Sequence, residues 1–197
     1  MFARKITYVN GRYLPHDMAS VHIEDRGYQF SDGIYEVVAI HNRKMLDEDL
    51  HFKRLERSLK NLSIKAPVSI NAMKIIIDEL IRRNKIVNSY IYIQVTRGVA
   101  KRNHPFPKGD VKPALVIMFT DMKAPPLKDY MDGVRVITTS DLRWHRRDIK
   151  SISLLANILA KQEAVIAGVK ESWLIDEVRG VITEGSSTNA YIVDAEN

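Results

Sequence analysis

Two consecutive prolines divide this chain into two parts. Pro125 and Pro126 stand in the stretch KAPPLKD, residues 123–129. Proline lacks a backbone N–H and its ring fixes φ, so a pair of prolines stops both a helix and a sheet strand. The stretch therefore predicts a linker, with a small domain over residues 1–122 and the start of a larger one over residues 123–197. The second part, about 70 residues long, lies near the lower end of usual domain sizes.

The first part has the pattern of a mixed α and β unit. Asn10-Gly11 follows an alternating run and accepts the positive φ angles of a tight turn, which predicts a hairpin. Asp47 is the expected cap of a first helix, and Ser69 or Asn71 that of a second. Apolar spacing and β-branched runs predict a strand at 35–40 with a return at 43–46, helices around 52–62 and 73–81, and strands at 90–97 and 114–120.

The second part continues with strands and a helix. GVRVITT predicts a strand, and residues 153–168 carry apolar side chains at helical spacing up to Gly168, which closes the helix. Three further strands are predicted in ESWLIDE, GVIT and NAYIVD. The whole chain is therefore expected to be an α/β protein, with a small α+β domain followed by part of a larger α/β domain.

The composition is that of an ordinary globular protein, with 45% hydrophobic residues and a mean hydropathy of -0.20. The absence of cysteine excludes a disulfide framework, thiolate catalysis and a cysteine metal site, and it is compatible with the reducing cytoplasm. The first residues lack the pattern of a signal peptide, and no apolar run approaches the ~20 residues of a membrane span. We expect a cytoplasmic protein with no membrane partner.

The charge balance is basic, at +6 with 30 basic and 24 acidic residues, and it suits an anionic partner. Nucleic-acid binding would need a stripe of Lys and Arg with stacking aromatics or a known reading motif, and the sequence has neither. Small anions such as phosphate esters and carboxylates need only one or two arginines. No nucleic-acid partner is expected, and a basic nucleic-acid binder is kept only as the third alternative.

Several familiar catalytic motifs are missing. The sequence contains no GxGxxG, GxxxxGK[ST], HExxH or GxSxG, and its six histidines are scattered, so no metal site is predicted. What remains is Lys150, in the basic stretch RWHRRDIKS at 143–151. Lysine is a nucleophile when neutral, and neighbouring cations such as Arg143, Arg146 and Arg147 favour the neutral amine. The alternative, a solvated surface lysine, is the commoner case for one such residue taken alone.

Three other stretches could bind anions. TEGSSTNA, at 183–190, combines a carboxylate, a glycine and three hydroxyls, as an anion nest requires, although a polar hairpin turn has the same composition. Arg54 lies on the polar face of the helix HFKRLERS. Arg97, Arg102 and His104 follow a strand and could bind a carboxylate, since arginine bonds that group in a bidentate way. Each of these stretches, taken alone, is also compatible with an ordinary solvent-exposed surface.

Taken together and in order, five motifs resemble the class IV aminotransferases, which use pyridoxal phosphate. The resemblance extends from near residue 5 to the last residue and is strongest to the branch of that family that acts on D-amino acids. It implies fold type IV of the pyridoxal-phosphate enzymes. The motifs are EDRGYQFSDGIYEVV, HFKRLERS, QVTRGVAKRNHPFP, DIKSISLLANILAKQEA and VITEGSSTNAYIV.

The resemblance implies the residues that hold the cofactor. Lys150, in DIKS, corresponds to the lysine that forms a Schiff base with pyridoxal 5'-phosphate. Glu184, in TEGSS, would face the pyridine nitrogen and keep it protonated. Arg54 would bind the phosphate, together with the hydroxyl and backbone of Ser187 and its neighbour Thr188.

The resemblance also implies a substrate site and a partner. Tyr35, Arg102 and His104 correspond to the family's carboxylate trap, and the RxH pair separates the D-amino-acid enzymes from their branched-chain relatives. The loop of that pair reaches the neighbouring subunit's site in this family, so a homodimer is implied. Arg143 would support the site without touching the substrate.

The function implied is transamination, for example of D-alanine with 2-oxoglutarate to give pyruvate and D-glutamate. The alternatives on the same fold are a branched-chain L-amino-acid aminotransferase and an aminodeoxychorismate lyase. Family members continue beyond NAYIVD into a GxTR-type turn that completes the phosphate site, and this sequence stops at Asn197 without it. The alternatives therefore also include a fragment, a natural short form, and a truncated non-catalytic protein that binds pyridoxal phosphate.

Overall fold

A computed structural model describes residues 5–195, and the chain divides into two compact units. The first unit ends at Met122 and also includes Asp148–Ile152. The second consists of Lys123–Arg147 and the residues from Ser153 onward. Lys150 therefore belongs to the first unit.

The first unit is built on one antiparallel sheet of six strands. The strands are β1 (Ile6–Val9), β2 (Arg12–Pro15), β3 (Gly33–His41), β4 (Lys44–Met45), β5 (Ser89–Thr96) and β6 (Ala114–Thr120). Their order across the sheet is β2-β1-β6-β5-β3-β4. The helices are a short 3-10 turn (His16–Met18), α1 (Arg26–Phe30), α2 (Glu48–Asn61) and α3 (Ile70–Asn84).

Local signals explain most of these elements. The predicted first hairpin is confirmed, because Asn10 and Gly11 take φ angles of 47° and 93° between β1 and β2. Ser69 caps α3 by accepting a hydrogen bond from the Ala72 N–H at 3.2 Å, whereas Asn71 lies inside the helix. Asp47 does stand at the N-cap of α2, but its side chain makes no capping hydrogen bond.

The core of the first unit lies between the sheet and helices α2 and α3. Alternate residues of β3 face it, so Ile34 and Val38 are fully buried whereas Val37 is 37% exposed. The helix residues that meet them recur at helical spacing, as predicted from the sequence. Those buried in the core include Phe52, Leu55, Leu59, Met73, Ile77, Leu80 and Ile81.

The N-terminal end of β3 takes an additional partner on its free edge. Strand β4 pairs only with Ile40 and His41, and the other end of that edge receives residues 150–152. The Tyr35 N–H donates to the Lys150 carbonyl at 3.0 Å, and the Ile152 N–H donates to the Gly33 carbonyl at 3.2 Å. Gly33 permits this crowding, since a Cβ there would lie 2.6 Å from the Val95 carbonyl oxygen and 3.1 Å from Ile152.

The second unit has a three-stranded sheet of order β7-β8-β9. Strands β7 and β8 are parallel and are joined through helix α5, while β9 returns antiparallel to β8. Ala160 and Ala164 form the buried side of α5. The elements are α4 (Leu127–Met131), β7 (Val136–Ser140), α5 (Leu155–Ile166), β8 (Glu171–Asp176) and β9 (Val181–Gly185).

Helix α4 begins immediately after Pro126, within the predicted linker stretch 123–129, because a proline ends the preceding element but is tolerated at a helix start. One local prediction for this unit is wrong. NAYIVD was expected to be a strand, but within the described chain residues 189–194 form none, and Ile192 is 93% exposed. A strand requires a neighbour for its backbone groups, and the pattern of a sequence does not supply one.

The core assignment can be tested with two isoleucines of α3. Ile77 is completely buried and Ile75 is 68% exposed. Ile77→Ala should lower the free energy of unfolding by about 2–5 kcal/mol, because it leaves a cavity in the core. Ile75→Ala should change it by no more than about 0.5 kcal/mol. Urea denaturation followed by circular dichroism measures both; equal losses would contradict the burial pattern.

Candidate active site

The Lys150 amine lies over an aromatic ring of the first unit. Its Nζ is 4.5 Å from the ring centroid of Tyr35, within the range of a cation–π contact. The backbone pairing of Lys150 with β3 fixes where the side chain starts, so the contact follows from the fold. Tyr35 in turn stacks on Tyr92, with ring centroids 5.7 Å apart. Burial raises the pKa of Tyr92 to about 12, which keeps that phenol protonated at neutral pH.

Arg54 is held by a buried carboxylate one residue further along β3. Glu36 is 1% exposed and accepts hydrogen bonds from Arg54 Nε at 2.6 Å and from Nη2 at 2.7 Å. His51 Nδ1 lies 2.8 Å from the second carboxylate oxygen. A bidentate bond of this kind fixes the plane of a guanidinium. Arg54 is therefore oriented by Glu36, which the sequence analysis did not single out.

Arg102 and His104 lie around another aromatic ring of the first unit. The Arg102 guanidinium carbon is 4.7 Å from the Phe30 ring centroid, and the His104 ring is 5.5 Å from it. Both residues are exposed. Phe30 thus brings together the two members of the predicted RxH pair.

In the second unit Glu184 is paired with Arg143. Arg143 Nη1 lies 3.3 Å from Glu184 Oε2, and its Nη2 lies 3.0 Å from Asp141 Oδ2. The side chain of Asp141 is 0% exposed and also accepts a hydrogen bond from the Thr183 hydroxyl at 2.6 Å. Burial acts to raise the pKa of Asp141, but the bonds from Arg143 and Thr183 outweigh it and lower that pKa to about 2. Asp141 is therefore charged at neutral pH and orients Arg143 toward Glu184.

The hydroxyls of TEGSS surround a carboxylate from the same unit. Ser187 donates to Glu171 Oε2 from its hydroxyl at 2.7 Å and from its backbone N–H at 3.3 Å. The Thr188 hydroxyl reaches the same oxygen at 3.1 Å, and the Ser186 hydroxyl bonds Oε1. The stretch has the donors of an anion nest, and in this structure they bind Glu171.

The structure thus gathers the predicted residues into small clusters. Lys150 contacts Tyr35, Arg102 and His104 share Phe30, and Arg143 contacts Glu184. Ser187 and Thr188 both bind the carboxylate of Glu171, and Arg54 binds that of Glu36. The carboxylates that hold these groups were missed by sequence reasoning, although each lies in or beside an apolar strand, where a charge requires a partner. They are Glu36, Asp141 and Glu171.

No group of three or more His, Asp or Glu side chains among residues 5–195 could hold a metal ion. None of the helices described there is long and apolar enough to cross a membrane.

Comparison with known proteins identifies the family. Residues 33–197 match the family described as Amino-transferase class IV. D-alanine aminotransferase of Staphylococcus epidermidis is 40% identical over 186 residues, covering 94% of this chain and 65% of the relative. D-alanine aminotransferase of Bacillus licheniformis is 40% identical over 183 residues, covering 93% of this chain and 63% of the relative. The chain belongs to the class IV aminotransferase family and spans about two thirds of the length of these relatives.

Solved structures support the same fold. The Escherichia coli branched-chain amino acid aminotransferase matches with a TM-score of 0.82 at 21% identity, covering 93% of this chain and 63% of that one. A branched-chain amino acid aminotransferase from T.th., solved with pyridoxamine 5'-phosphate, matches with a TM-score of 0.83 at 23% identity, covering 94% and 64%. The 4-amino-4-deoxychorismate lyase of Pseudomonas aeruginosa matches with a TM-score of 0.73 at 22% identity, covering 92% of this chain and 64% of that one. The α/β fold and fold type IV are confirmed.

The hydroxyl nest makes a prediction about acid stability. Burial acts to raise the pKa of Glu171, but the hydrogen bonds from Ser186 and Ser187 lower it from 4.5 to about 2. A depressed pKa contributes stability above the unfolded-state pKa, and that contribution is lost as the pH falls toward the folded-state value. Glu171→Gln should therefore be less stable near pH 6 and lose less stability between about pH 5 and 3.

Urea denaturation at a series of pH values measures this effect. Ser187→Ala, which removes one donor and keeps the carboxylate, should show a smaller change in the same direction. An unchanged pH profile in Glu171→Gln would mean that the nest does not stabilise the charged carboxylate.

Proposed function

We propose that this chain carries the catalytic residues of a pyridoxal-phosphate-dependent transaminase that acts on D-amino acids. The reaction is the transfer of the amino group of D-alanine to 2-oxoglutarate, which yields pyruvate and D-glutamate. The observation that carries the proposal is the position of Lys150, whose amine is held over Tyr35 in a chain 40% identical to D-alanine aminotransferases.

The side chains present fit the chemistry of pyridoxal 5'-phosphate. Lys150 offers an amine for the aldehyde, Arg54 a fixed cation for the phosphate, and Glu184 a carboxylate for the pyridine nitrogen. Ser187 and Thr188 add hydroxyl donors that already bind an anionic group. When bound, the cofactor supplies an electron sink for the negative charge left on the substrate α carbon.

Lys150 has two tasks in this proposal. Its amine would hold the cofactor through the aldehyde, and its Nζ, when free, would act as the base that accepts and returns the proton of the substrate α carbon. A base works best when its pKa lies near the working pH. The Tyr35 ring and the backbone pairing of Lys150 limit how far Nζ can move.

Other residues bind and orient. Glu36 holds the Arg54 guanidinium so that less rotational freedom is lost when an anion binds. Asp141 holds Arg143 beside Glu184, which places a fixed positive charge next to that carboxylate. Both supports are buried carboxylates, so the cationic groups they orient are charge-balanced before any ligand arrives.

Arg102 and His104 are proposed to bind the substrate carboxylate together with Tyr35. Arg102 and His104 are exposed and share the Phe30 platform, which keeps two donors close together. The pair favours D-amino acids over the branched-chain and aminodeoxychorismate alternatives, and the relatives of about 40% identity are named for D-alanine. The homodimer and the cytoplasmic location stay predictions.

The substrate assignment can be tested with one variant and one control. Arg102→Ala should raise the KM for D-alanine about tenfold to hundredfold, because it removes a charge-assisted bond of about 1.5–3 kcal/mol. Lys101→Ala removes the neighbouring exposed cation and should leave the KM unchanged. Pyruvate release with 2-oxoglutarate as acceptor measures both.

Glutamate formed from 2-oxoglutarate distinguishes the rivals, because every amino donor yields it, whereas only alanine yields pyruvate. L-leucine should be a much poorer donor than D-alanine for the wild-type chain. Faster turnover of L-leucine would support the branched-chain alternative, and no turnover of any amino acid by a chain that retains the cofactor would support a non-catalytic binding protein.

A further inference from the structure

The motif EDRGYQFSDG, residues 24–33, carries the Phe30 ring that Arg102 and His104 contact, and it also contains a buried ionic cluster. Asp32, with a side chain 10% exposed, accepts hydrogen bonds from Arg26 Nε at 2.7 Å and from Arg97 Nε at 2.7 Å. Arg97 Nη2 reaches its other oxygen at 3.0 Å. The side chains of Arg26 and Arg97 are only 4% and 9% exposed.

Two guanidiniums share one carboxylate in this cluster. Burying such charges is costly unless every donor has a partner. The remaining donors of Arg97 bond the backbone carbonyls of Ser63, at 3.1 Å, and Leu62, at 2.8 Å. Burial acts to raise the pKa of Asp32, but the bonds from Arg97 and Arg26 lower it, so the carboxylate stays charged at neutral pH.

The remaining donors of Arg26 reach the loop that carries Arg102 and His104. Nη1 donates to the Asn103 carbonyl at 2.6 Å, and Nη2 donates to the His104 carbonyl at 3.3 Å. Asn103 lies between the two members of the RxH pair, and His104 is the second member of that pair. One side chain therefore holds the backbone at the point where the two substrate-binding side chains leave it.

The same helix also supports those two side chains. The Arg26 N–H donates to the Gly98 carbonyl at 2.9 Å, at the start of the loop. The Arg26 guanidinium carbon lies 4.8 Å from the Phe30 ring centroid, and Arg102 lies 4.7 Å from it. Within the cluster, α1 thus contacts the loop through its backbone, its arginine and its aromatic ring.

We propose that Asp32 is a positioning residue for the substrate-carboxylate loop and acts through Arg26. Asp32 fixes the Arg26 guanidinium, and the guanidinium fixes the separation and direction of Arg102 and His104. The inference rests on the proposed function in one respect, the role of that pair in binding the substrate. The holding of the loop by Asp32 itself is independent of it.

The consequence of neutralising Asp32 follows from the charges. Asp32→Asn leaves two buried guanidiniums facing a neutral amide that can accept on one oxygen only. Arg26→Lys keeps the charge, but a lysine ammonium cannot span the carboxylate and two carbonyls in one plane. Both variants should therefore release residues 99–104 without touching Lys150.

Hydrogen exchange of the backbone amides tests the loop directly. In Asp32→Asn and Arg26→Lys, amides of residues 99–106 should exchange about tenfold faster than in wild type, since local opening becomes easier. Glu79→Gln is the matched control, because it removes a carboxylate that also pairs with two arginines, Arg82 and Arg83, on the exposed surface of α3. It should leave exchange in residues 99–106 unchanged.

The kinetic readout separates positioning from general destabilisation. Arg26→Lys is the milder of the two variants and can be used alone if Asp32→Asn fails to fold. It is expected to raise the KM for D-alanine about tenfold with less than about a twofold change in kcat. A fall in kcat with no change in KM would mean a merely structural role and overturn the inference. Unchanged exchange in residues 99–106 would overturn it as well.

Failure of the proposed function gives a different result. If wild type does not turn over D-alanine, that function is wrong, and the exchange data alone decide whether Asp32 holds the loop. If wild type is active and the loop loosens without any change in KM, the proposed function stands and the positioning role is wrong.

Discussion

The hydrogen bond from the Tyr35 N–H to the Lys150 carbonyl places Lys150 beside strand β3. Lys150 is distant from β3 in sequence, and its segment reaches the sheet because β4 leaves one end of that edge unpaired. Tyr35 then contacts Lys150, and the next residue, Glu36, binds Arg54. Consecutive residues of one strand therefore organise both the amine and the cation that the proposed cofactor requires.

Buried carboxylates recur as the groups that orient the proposed site. Glu36 holds Arg54, Asp141 holds Arg143, and Asp32 holds Arg26 and Arg97. A guanidinium bound in this way is charge-balanced and fixed before a ligand arrives, so less conformational entropy is lost on binding. We expect conservative changes at these carboxylates to affect ligand binding through the arginines they hold.

Local signals in the sequence predicted the hairpin at Asn10-Gly11 and the helices α2, α3 and α5, because turns and amphipathic periods are encoded over a few residues. NAYIVD was mispredicted because a strand depends on a partner elsewhere in the chain. The carboxylate supports were missed for the same reason. Glu36 and Arg54 are 18 residues apart, and Asp32 and Arg97 are 65 apart, so no local pattern links them. The family resemblance named the candidate site residues and left their supports unidentified.

The proposed function depends above all on Lys150 as the amine that binds pyridoxal 5'-phosphate. The intact mass of the chain after incubation with the cofactor and borohydride reduction, followed by peptide mapping, tests this role. We expect one reduced adduct per chain, on the peptide that contains Lys150. Adducts spread over several surface lysines, or none on Lys150, would contradict it.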